Sequence, residues 1–296
     1  MHEFIDLLSQ PSPRPSRWDH GAGEGAIRAL DNGLRKAGLP GRLAPAQRLL
    51  DRAEELAEAA RQAKAAATSR MEGATWALLA DGPIDLDACA VTVTGAAVWL
   101  DERSPAMLGA MGAAGRTQAN ATQVVFGMAP GIYAELQQAC EQVVGEVAAV
   151  AQLPNPVWTA ATSGLASTVA IRGGHEQAWT QLVKLGARWD DIHAAAALLR
   201  ETGVFQAQLL FPAGCPGDLG TQFLGWEAAV EQLPRIRRLP APLRVRAAHD
   251  AGLRPGLYLA SDHVADRERA AAKARPGLLA RLGVGSGPKP ERVEVR

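Results

Sequence analysis

From Ala46 to Met71 the chain carries no helix breaker, and apolar residues recur at alternating four- and three-residue steps: Leu49, Ala53, Leu56, Ala60, Ala63 and Ala67. That spacing draws one narrow seam of the coiled-coil kind along a long helix, and its small alanines would let a partner helix come close. Pro45 falls where a first-turn proline is tolerated. Asp51, Glu54, Glu55 and Glu58 precede Arg61, Lys64 and Arg70, so the charge order complements the helix dipole, with Arg48 and Arg52 as exceptions. A second stripe runs through Ile132 to Leu153, where Tyr133, Leu136, Cys140, Val143, Val147 and Val150 repeat the spacing and Pro154 and Pro156 end it. A thiol on such a stripe, Cys140, acts as a small hydrophobe rather than a nucleophile.

Elsewhere the pattern is more broken. The alternation Val91-Thr92-Val93-Thr94 and the run Gln123 to Met128 suggest short strands, so the chain allows a small β element. Helices are expected over Glu176 to Leu185 and Asp190 to Arg200, over Gln222 to Leu233, and over Asp262 to Arg275, the last stopped by Pro276-Gly277. Trp158 to Gly174 is compatible with strand, loop or tightly packed helix. Glycine and proline crowd the first 43 residues, leaving room for an extended arm with one short helix near Ala26 to Lys36. The expected class is mainly α: an extended arm over 1–43, a helical core domain with two long seam-bearing helices over 44–233, a smaller subdomain over 234–282 set off by Pro234, Pro240 and Pro242, and a flexible tail over 283–296.

Composition narrows the roles. With 47% hydrophobic residues the chain can bury a sizeable core, and with only 5% aromatic that core rests on Ala, Leu and Val. Thirty-one basic residues balance 31 acidic ones, so no global field draws the chain toward nucleic acid or an anionic membrane. No apolar run reaches the roughly 20 residues of a membrane span. The N-terminus does not read as a basic and then apolar leader, so the expected location is the cytoplasm or a particle assembled there. Cys89, Cys140 and Cys215 are odd in number and widely spaced, with no CxxC pair to hold zinc or exchange disulfides.

No catalytic motif survives inspection. His175-Glu176 lacks its second zinc ligand, since Trp179 stands four residues on. His249-Asp250 is a two-residue match to a metal dyad that needs further ligands. The glycines at 21, 23 and 25 have neither a preceding strand nor a P-loop lysine, and Asp81, Asp85 and Asp87 depart from calcium-loop spacing and suit turns or caps. No cofactor or metal is expected. The segment Thr180 to Leu210 outlines a helix-turn-helix around Gly186, but Glu201 to Leu210 has no Arg or Lys to meet phosphates. A basic stretch remains: Arg235, Arg237, Arg238, Arg244, Arg246 and Arg254. It suits phosphates or carboxylates alike, and the lack of interleaved aromatics favours a protein contact.

These features point to a non-enzymatic structural or protein-interaction component of a larger assembly, such as a virus particle or mobile-element structure. Its expected partners are other protein subunits, in a homo-oligomer or hetero-assembly. The alternatives are a nucleic-acid-associated protein using Arg235 to Arg254, and an enzyme whose site gathers Cys215, His175 or His249 from distant positions.

Overall fold

The computed structural model describes residues 23–79, 85–101, 104–150, 156–157, 165–202, 204–205, 220–225 and 231–281, with 237, 242 and 273–281 described by their backbone alone. The expected tail, most of the expected arm, and Cys215 lie outside the described residues. The fold is mainly α. In chain order it comprises α1 (Gly23–Lys36), α2 (Ala44–Leu79), α3 (Leu86–Leu100), α4 (Pro105–Val150), α5 (Ala166–Arg172), α6 (Glu176–Arg200), β1 (Phe223–Leu224), α7 (Leu233–Arg237), α8 (Ala241–Asp250), β2 (Arg254–Pro255) and α9 (Ala260–Arg281). The chain divides into two compact units: residues 1–135 with 194–204, and residues 136–193 with 205–296.

In the first unit, α1 is strongly amphipathic and buries Ile27, Leu30 and Leu34 completely. Its glycines mark close approaches. A Cβ on Gly23 would fall 2.8 Å from the Thr122 hydroxyl, and one on Gly33 would sit 3.5–3.6 Å from Leu198 and Ala195. Arg42 Nε pairs with Glu135 Oε2 at 2.7 Å. Along α2 the buried positions are Ala46, Leu50, Ala53, Ala60, Ala67 and Ala74, so alanine returns every seventh residue on the packed side. Of the expected seam, Ala53, Ala60 and Ala67 are buried while Leu49, Leu56 and Ala63 are half-buried on its flank. The packed line follows the small residues because they admit the closest approach.

Two expected strands are helical. Val91 to Thr94 lies within α3, where the Thr92 and Thr94 hydroxyls donate to the carbonyls of Ala88 and Ala90 at 2.9 and 2.8 Å. Those i−4 bonds accommodate hydroxylated β-branched residues in a helix that Asp85 caps, accepting from Ala88 N at 3.0 Å. Gln123 to Met128 lies within α4, whose buried Ala121, Val125, Ala129 and Ile132 keep helical spacing that a six-residue window cannot separate from alternation. The helix expected to begin at Ile132 therefore starts at Pro105. It continues past Pro130, which withholds one backbone donor without ending it.

In the second unit, α4 buries Tyr133's successors Leu136, Cys140, Val143 and Val147, and Val150 is half-buried. The two helices expected around Gly186 are one, α6. Leu182, Leu185 and Trp189 continue into Ile192, Ala196 and Leu199 at three- and four-residue steps, and buried Gly186 leaves this stripe intact. The expected helix from Gln222 is replaced at Phe223–Leu224 by β1, which pairs antiparallel with β2, Phe223 opposite Pro255 and Leu224 opposite Arg254. Gly225 and Gly252, at φ of 77° and 78°, turn the chain beside these strands. Phe223 packs with Leu233, Ile236, Ala248 and Leu253. Pro234 lies in the first turn of α7, where the missing N–H costs nothing. Helix α9 runs to Arg281, through Pro276, rather than stopping at Arg275.

Candidate interaction surface

Helices α2 and α3 form a hairpin in the first unit, and its composition is unusual. From Ala88 to Leu100 there is no charged residue, yet within α3 only Ala96 is buried. A helix apolar on every side ordinarily belongs in a core. Here Cys89 and Thr92, which face α2, are half-buried, as are Trp99 and Leu100, and other large apolar side chains are exposed: Leu86 at 67%, Val91 at 74% and Val98 at 44%. The C-terminal turns of α2 add Trp76 and Leu79, exposed at 71% and 70%. Between the helices, Gly73, Ala74 and Ala77 face Ala88, Cys89 and Thr92 around an open groove edged by Arg70 and Asp85. One row on α3 has the spacing of a helical seam: Leu86, Ala90, Val93 and Ala97 follow steps of four, three and four, and all four are exposed.

Of the expected α2 seam, Ala53, Ala60 and Ala67 are buried, and Leu49, Leu56 and Ala63 are half-buried, so none of the six is exposed. The six arginines are not gathered into one free basic surface. Arg244 donates to the Leu239 carbonyl from Nε and Nη2 at 3.4 and 3.3 Å and to Gln222 Oε1 at 3.4 Å. Its charge also opposes the burial that raises the Asp190 carboxyl. Arg246 Nε binds both oxygens of Asp250 at 2.9 and 3.0 Å, and Arg254 pairs with Asp266. Arg235 and Arg238 are exposed, and the Arg237 side chain lies outside the described residues.

The titratable candidates are dispersed. His175 sits in the link between α5 and α6, its N–H bonded to the Ala170 carbonyl at 2.8 Å. His249 is exposed on the last turn of α8, 3.9 Å from Asp250, beside a cavity of about 190 Å³ walled by Val144, Val147 and Val245. Cys140 Sγ lies 3.9 Å from His193 Nε2, and the His193 ring sits 4.4 Å from that of Trp189. Burial, with a smaller contribution from the Glu141 charge, pushes the Cys140 thiol up to about 12, opposite to the low pKa an attacking thiolate needs. Among the described residues, no three His, Cys, Asp or Glu side chains gather as a metal site, and no helix is long and apolar enough to cross a membrane.

The α3 surface is masked in the sequence because Val91 to Thr94 alternates as a strand would. The available signal was the charge-free run behind the capping Asp85. Compared with known protein families, curated proteins and solved structures, the chain matches none.

Proposed function

We propose that this chain is a structural or protein-interaction component of a larger assembly, and that it meets its partner through the α2–α3 hairpin. The observation that carries this reading is α3 itself: a 15-residue helix without a basic residue, of which only Ala96 is buried. Leaving large apolar side chains such as Leu86 and Val91 in water forgoes roughly 1.5–3 kcal/mol each relative to full burial. Large apolar side chains left exposed together on one hairpin favour a contact role. The internal ion pairs of Arg246 and Arg254 and the bonds of Arg244 leave less of the basic stretch for phosphates, which supports a protein contact over a nucleic-acid one.

The test is site-specific photocrosslinking in the cells that make the protein. A photoreactive residue at Val91 should yield a discrete protein adduct, and one at exposed Ile171 in the second unit should not. Adducts only to nucleic acid or lipid, or equal labelling from both positions, would overturn the reading.

A further inference from the structure

We draw no further inference here: the strongest candidate, the cavity of about 190 Å³ between α4 and α8 beside His249, is walled mainly by valines, its Arg246 and Asp250 bind each other, and nothing in the structure shows what covers or fills it.

Discussion

Cys140 Sγ lies 3.9 Å from His193 Nε2 inside the second unit, and the contact is a packing relationship rather than a nucleophile and its base. Burial holds the thiol protonated, raising its pKa from 9.0 to about 12. Below pH 9 both folded and unfolded chains keep this proton, and its contribution to stability is fully present. Between pH 9 and about 12 the unfolded chain releases it and the fold does not, so stability falls as pH rises, by at most about 1.4 kcal/mol per pH unit. Tyr258, raised from 10.0 to about 12 mainly by burial, adds to the upper part of that window. Urea unfolding at pH 7, 9 and 10.5 should show the decline, and Cys140→Ala should make it shallower. In native protein a thiol reagent should label half-buried Cys89 well before Cys140.

Gly33 offers a test of the packing of the first unit. A Cβ there would meet Leu198 and Ala195 at ordinary contact distances of 3.5 and 3.6 Å. Gly33→Ala should therefore stabilise the fold by roughly 0.4–1 kcal/mol, because the unfolded chain loses freedom and nothing in the fold must move. Gly33→Leu should lower stability by about 1–3 kcal/mol through overpacking. Thermal unfolding of the two variants should move in opposite directions.

The seven-residue alanine line on α2 predicts a sharp neighbour contrast. Ala67 is only 1% exposed, whereas Ala66 is exposed. Ala67→Leu should cost about 1–3 kcal/mol, and Ala66→Leu should stay within about 0.5 kcal/mol of the parent. Equal effects at both sites in denaturant titrations would contradict the packed line.

Asp85 holds the start of α3 by accepting from Ala88 N. Asp85→Ala should cost about 1 kcal/mol of local stability, and Asp85→Asn much less. Hydrogen exchange of the amides of the first turn should accelerate about five-fold in the alanine variant. Exchange in α8, in the other unit, should not change.

Much of the helical framework is visible in the residues themselves. The stripe from Tyr133 to Val147 is interior as its spacing suggests, and the short helix near Ala26 is α1. Where structure and expectation differ, the physical cause is shared. A four- to six-residue window such as Val91 to Thr94 or Gln123 to Met128 fits two periods equally, and only the longer run decides. Gly186 is expected to separate two helices, and Pro130 also lies inside one, but flanking stripes continue across both, so tertiary packing outweighs the local cost of roughly 1 kcal/mol for glycine and about 3 for proline. The α3 surface was least legible. Uniform apolarity shows that a helix seeks cover without indicating which of its sides finds it within the same chain.

The approach of Gly33 to Ala195 bears on how the molecule is made. The first unit draws residues 194–204 from far down the chain, so it is built from two segments that residues 136–193 separate. At about 5–20 residues per second, the ribosome delivers Ala195 on the order of ten seconds after Gly33. During that interval the side of α1 at Gly33 lacks the Ala195 and Leu198 side chains that will pack against it, so the first unit can close only after residue 198 is made.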